Sequence, residues 1–179
     1  MGHEEVLQFW FEDIERKMWF KKDLEFDTVL RERFGALHTN AAACELYSWR
    51  ETARGRVAEI IILDQFSRNL FRGAPLAFAQ DPLALALAQE AVACEAHLQL
   101  SQDERIFFYM PYMHSESRAV HEVALTLFAE PGMEENYRYE QRHKQIVERF
   151  GRYPHRNAVL GRESTSEELE FLQQKGSSF

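Results

Sequence analysis

Apolar residues recur every three to four positions along most of this chain, and no stretch alternates with the period of two that a half-buried strand requires. The pattern predicts helices joined by short loops. A first helix is expected at about residues 3–14, where Val6, Leu7, Trp10, Phe11 and Ile14 form one stripe, and a second at about 23–44 on Phe26, Leu30, Phe34 and Leu37. A third, about 53–71, contains "EIIILDQFSRNLF", whose run of four apolar residues leaves no solvent face and marks a central helix. Gly73 and Pro75 stop it.

Capping residues punctuate the second half. Asp81 is the expected N-cap of a helix with Pro82 at its first position. Ser101 and Glu104 fit a capping box for a helix to about Pro111, and Ser115 or Ser117 can cap the next through about Phe128. Residues 134–150 place Tyr139, His143, Ile146, Val147 and Phe150 on one apolar face, with Gly151 as the stop. Thr165 and Glu168 open a last helix at about 165–174. The sum is about eight helices whose short connections favour antiparallel neighbours in a compact all-α array. No linker divides the chain, so residues 1–179 are expected to form a single domain.

Composition narrows the setting. Fourteen Phe, six Tyr and three Trp in 179 residues supply a dense core without metal or disulfide. Cys44 and Cys94 lie in alanine-rich helical stretches without ligand spacing and read as small buried apolar groups in a reducing compartment. The N-terminus lacks a basic-then-apolar leader and no apolar run reaches a membrane span, so a soluble cytoplasmic protein is expected. A net charge of −8 disfavours duplex nucleic acid and anionic membrane as partners. Oligomeric state leaves no mark in the sequence.

The candidate chemistry lies in two segments. On the third helix, Asp64 with Arg68, Gln65 with Asn69, and Arg68 with Arg72 are each four apart and form one polar stripe, with Leu63, Phe66 and Leu70 opposite. Near the end, residues 138–162 hold seven cations, Arg138, Arg142, Lys144, Arg149, Arg152, Arg156 and Arg162, against two acids, Glu140 and Glu148. "SRNLFRG" and "HRNAVLGRE" echo one another. Guanidinium forks match carboxylate and phosphate, so Arg68, Asn69, Arg72, Arg152, Arg156, Asn157 and Arg162 are the candidate ligands of a small anion. His155, His114, Asp64 and Glu116 are the candidates for acid–base work. Two other readings stand beside this one: an adaptor that clamps an acidic peptide or protein, and a purely structural network. His143 reads as a hydrogen-bonded core histidine. "EQRH" at 140–143 has a metal-like Glu-x-x-His spacing, but it stands alone and Glu140 is expected to face solvent, so no metal site is assigned. Neither phosphate-loop nor dinucleotide motif occurs, and no cofactor is expected.

"VLQFWF", "LDQFSRNLFRG", "AFAQDPLALALA", "FFYMPYMHSES" and "FGRYPHRNAVLGRESTSEE", in this order over nearly the whole chain, resemble the signature blocks of the bacterial family named domain of unknown function 924. The resemblance implies a tetratricopeptide-like, right-handed helical array in a cytoplasmic protein. It places motif residues on Asp64, Arg68, Asn69 and Arg72, on His114 and Glu116, and on Arg152, His155, Arg156, Asn157 and Arg162, and it implies no reaction.

Overall fold

Side-chain caps set where many of the helices begin. In the computed structural model, which describes residues 1–178, the elements are α1 (His3–Gln8), α2 (Leu24–Ala42), α3 (Ala53–Ile61), α4 (Ser67–Leu70), α5 (Asp81–Ala93), α6 (Gln102–Met113), α7 (Arg118–Phe128), α8 (Glu134–Phe150) and α9 (Ser166–Leu172). No strand occurs among the described residues, so the chain is all-α. The Asp23 carboxylate accepts from the backbone N–H groups of Glu25 and Phe26, both at 3.2 Å. Thr52 caps α3 by accepting from the Gly55 N–H at 3.0 Å, and the boxes Ser101–Glu104 and Thr165–Glu168 both form. Each cap satisfies N–H groups that the helix itself leaves unpaired.

Two helical rods depart from the α period. After α1 the chain makes a π-turn over Phe9–Asp13, and between α3 and α4 another over Ile62–Phe66. A π-turn holds one extra residue per bond ring and rotates everything after it. For this reason the first rod buries Phe9 beside Val6, Leu7 and Trp10, while Phe11 and Ile14, expected in the core stripe, are only half-buried. In the second rod every residue from Val57 to Ser67 is buried, including Asp64 and Gln65.

The chain packs as two compact units, one made of residues 1–72 and 76–111, the other of 73–75 and 112 onward. In the first, α1 packs on α3, α2 on the π-turn and α4, and α5 on α3. Its centre is aromatic. Trp10 lies with ring centroids 5.5 Å from both Phe66 and Phe107, and Phe34 lies 4.9 Å from Phe9 and 5.0 Å from Phe66. Such tilted and edge-on pairs contribute about 0.5–1.5 kcal/mol each beyond their burial. In the second unit α7 packs on α8, and Ile146, Val147 and the fully buried Tyr153 form a core with Phe150 and Phe171 against it. Gly151, at φ 70°, ends α8 in the left-handed conformation that its lack of Cβ permits.

Several expectations are corrected here. Cys44 and Cys94 are exposed free thiols, because each falls just past a helix end where the chain turns outward, Cys44 with φ 59°. The cap of α5 is Gln80, and Asp81 serves Arg68 instead. The α6 helix runs through Pro111 to Met113. On α8 the apolar face carries Glu140, fully buried, while Tyr139 points outward at 46 % exposure. Among the described residues no helix is long and apolar enough to cross a membrane.

Close backbone approach fixes one glycine. A Cβ on Gly55 would lie 2.0 Å from the Trp49 carbonyl oxygen, whereas one on Gly35, mid-helix in α2, would meet nothing within 4 Å. Gly55→Ala is therefore expected to destabilise by about 2–3 kcal/mol and Gly35→Ala to stabilise by about 0.5–1 kcal/mol, both read as midpoint shifts in urea unfolding at unchanged slope.

Candidate functional site

An arginine cannot lose its charge, so each half-buried guanidinium must find an anion or a carbonyl. In the first unit the stripe that leaves the π-turn does so within its own surroundings. Arg72 grips Asp27 with two bonds, Nε to Oδ2 at 2.6 Å and NH2 to Oδ1 at 2.8 Å, and Asn69 adds a donor to the same Oδ1 at 2.8 Å. Arg68 bridges Asp64, 3.1 Å away, to both oxygens of Asp81 at 3.0 and 3.1 Å, and Gln65 donates to Asp64 Oδ2 at 2.6 Å. The predicted residues thus fall into two groups, Asn69 and Arg72 on Asp27, and Arg68 between Asp64 and Asp81.

A serine–histidine pair lies nearby and is not a nucleophile pair. The Ser67 hydroxyl donates to the Leu63 carbonyl at 2.5 Å, so His38 Nε2, 2.7 Å from that hydroxyl oxygen, is the donor to it. The serine's proton therefore goes to the backbone and not to a base.

In the second unit the closing turn is locked in a similar way. Glu116 takes Arg162 in two bonds of 2.7 and 2.9 Å and accepts the Tyr153 N–H at 2.7 Å. Glu168 takes Arg152 in two bonds of 2.7 and 2.8 Å and receives Asn157 and the Thr165 N–H. Arg162 also donates to Asn157 Oδ1 at 3.0 Å. The cationic excess of residues 138–162 is largely offset in space, because Glu116, Glu122, Glu167 and Glu168 reach in from outside that window. Burial works against the Glu116 carboxylate, but the Arg162 bonds, the Tyr153 N–H and the Arg156 charge together hold it below its ordinary range.

Inside this frame the imidazoles gather around Tyr153. His121, His143 and His155 have ring centroids 6.3, 5.8 and 5.8 Å from the Tyr153 ring. Arg156 covers that ring at 4.6 Å and donates to the His114 carbonyl at 3.1 Å. His121 is fully buried and its Nδ1 lies 2.6 Å from Glu140 Oε1. His143 Nδ1–H donates to the Tyr139 carbonyl at 2.8 Å, which fixes its tautomer. Burial pushes the His143 imidazole down to about 3, and the fields of His114, His121 and His155 add to this. His143 is thus neutral at physiological pH, as a core histidine should be. His114 and His155 are half-buried at the edge of the group.

The sequence reading missed Asp27, His121 and Tyr153, and took Glu168 for a helix cap without its pairing to Arg152. One signal was available for the buried pair: His121 shares the apolar face of α7 with Ala124 and Phe128, and Glu140 shares that of α8 with His143 and Val147. Two polar residues on facing apolar stripes must answer one another. Glu140 is buried and not solvent-facing for this reason. Among the described residues no group of three or more His, Cys, Asp or Glu side chains is arranged to hold a metal ion.

The closing turn yields a pH prediction. The Arg152 bonds, helped by the Thr165 N–H and Asn157, hold the Glu168 carboxyl down to about 2, against burial and against 4.5 for an ordinary Glu. Between those values the unfolded chain binds a proton that the folded one does not, so this stabilisation is complete above pH 4.5 and lost as pH falls toward 2. Glu168→Gln is expected to lower the thermal midpoint by several degrees at pH 7 and to flatten its decline through that acid window, as followed by circular dichroism.

Comparison with known proteins fits the motifs already placed. Over residues 6–176 the sequence matches the model of a family described as "Bacterial protein of unknown function (DUF924)". The structure is similar to that of ATU0120 from Agrobacterium tumefaciens, itself described as a protein of unknown function, with 40 % identity, 96 % of each chain covered and a TM-score of 0.91. No curated protein matches the chain. With nearly its whole length inside the family model, this chain belongs to the bacterial DUF924 family.

Proposed function

We propose that the histidine-lined end of the second unit binds a small anionic molecule, a carboxylate or a phosphate, and that His155 and His114 meet it with Arg156 behind them. The observation that supports this most is the convergence of three imidazoles, those of His121, His143 and His155, and one guanidinium on the Tyr153 ring, with His155 half-buried and the half-buried His114 tied to that guanidinium through its carbonyl. Imidazole N–H groups and a guanidinium are the donors an oxyanion needs. A neutral histidine beside them can also accept a proton from a bound acid.

This reading divides the arginine candidates into two kinds. Arg72, Arg152 and Arg162 each spend two N–H groups on one carboxylate, so we assign them to bracing, with Arg68, held between Asp64 and Asp81. Asn69 and Asn157 belong with them, and Glu116 and Asp64 are counter-ions in the same networks. The adaptor reading gains less support. The second unit has a groove of about 600 Å³ along Phe128, Pro131, Tyr137 and Arg138, but Glu130 and Glu134 also line it and would repel an acidic peptide.

Titration with inorganic phosphate, succinate and citrate, followed by thermal shift and by histidine ring resonances, tests the proposal. The expected result is stabilisation by at least one anion, with affinity reduced about tenfold by His155→Ala and by Arg156→Ala, a loss of about 1.4 kcal/mol. Arg72→Ala is expected to lower the thermal midpoint and leave affinity unchanged. An absence of response to every anion, in stability and in the ring resonances, overturns the assignment.

A further inference from the structure

The pair His121–Glu140 is sealed, with both side chains at 0 % exposure, and its hydrogen bonds decide where its protons are. His121 Nε2 lies 2.8 Å from the Ser115 carbonyl oxygen, which can only accept, so Nε2 carries a proton. The Tyr153 hydroxyl donates to the Met113 carbonyl at 2.5 Å and turns its lone pair to the same Nε2–H, 3.2 Å away. What remains is the 2.6 Å contact from Nδ1 to Glu140 Oε1. The other carboxyl oxygen, Oε2, is buried and has no hydrogen-bond partner among the described residues.

Two states have the same proton count, an imidazolium beside a carboxylate or an imidazole beside a carboxylic acid. The first leaves a charged oxygen orphaned in the interior. The second leaves only a carbonyl-type oxygen unpaired, the smaller penalty of the two. The titratable groups acting on the carboxyl are His121 from α7 and Lys144 on its own helix, the latter already bonded to Glu122 and Glu148.

We propose that Glu140 is a neutral carboxylic acid donating its proton to His121 Nδ1, and that this pair is the positioning device of the histidine-lined site. It acts through the opposite ring nitrogen. His121 Nε2–H ties the backbone at Ser115 to the Tyr153 hydroxyl, and Glu116, the next residue, holds the Tyr153 N–H and Arg162. The loop carrying His114 and the turn carrying His155 are thereby fixed to one buried imidazole. The functional part of this inference rests on the anion-site reading, but the protonation state does not.

The test uses the full chain. Nitrogen-15 NMR of the histidine rings is expected to show His121 neutral, protonated at Nε2 only, and unchanged between pH 5.5 and 8. Both ring nitrogens protonated at pH 7, or a titration near the free-histidine value, overturns the proposal. Glu140→Gln can donate an amide N–H to Nδ1 and is expected to keep the Nε2–H tautomer and phosphate affinity within about twofold. Glu140→Leu cannot, and is expected to lose the tautomer preference and weaken phosphate about tenfold or more. Equal loss of the tautomer in both variants counts against the pair, and if Glu140→Leu does not fold, the wild-type and Glu140→Gln spectra still decide. Should wild-type protein not bind phosphate, the site reading fails while the ring spectra judge the protonation state by themselves.

Discussion

The irreducible charge of arginine shapes this protein more than any other constraint. Arg72, Arg152 and Arg162 are drawn partly out of water, and each is met by both oxygens of one carboxylate, Asp27, Glu168 or Glu116. Asp27 and Glu168 are themselves buried and Glu116 is half-buried, so the first two would be intolerable alone. The bidentate pairs then impose orientation as well as proximity. A chain held this way gains little net stability from each pair, yet its closing turn has very few alternative conformations.

Polar interiors of this kind separate two roles that look identical in sequence. Arginines in a motif suggest a ligand until their partners are found. Here the partners of the closing turn come from Glu116, Glu167 and Glu168, outside the window in which the excess was counted. In the site we propose, the weight moves to imidazoles beside the one guanidinium of Arg156. Imidazoles, unlike guanidinium groups, can stay in an apolar setting by remaining neutral, as His143 does.

Local chemistry was legible in the sequence where it depends on neighbours a few residues away. The Ser101–Glu104 box, the Thr165–Glu168 box and Gly151 all sit where their types require, because a cap is made within one turn. The all-α class followed from the same short-range periodicity. Long-range partners were not legible: Asp27 gave no sign that Arg72 and Asn69 would close on it from 45 and 42 residues away. The wide turns were hidden because an uninterrupted apolar run such as "IIIL" has no phase from which a slip could be read. His121 was overlooked as one polar residue on an apolar stripe, and only the matching Glu140 on α8 gives it meaning.

The wide turn at Ile62–Phe66 also gives the central rod slack in its count of residues. One residue in it is taken up by the widened ring, so Arg68, Asn69 and Arg72 meet Asp27 and Asp81 one position later in the chain than an unbroken α period would bring them there. Deleting a single residue within these five positions would restore the ordinary period and leave the stripe facing the same carboxylates, because the slack removed is the slack the wide turn holds. Chain length is thus tolerated at the turn, whereas each residue of an ordinary helical turn carries about 100° of phase.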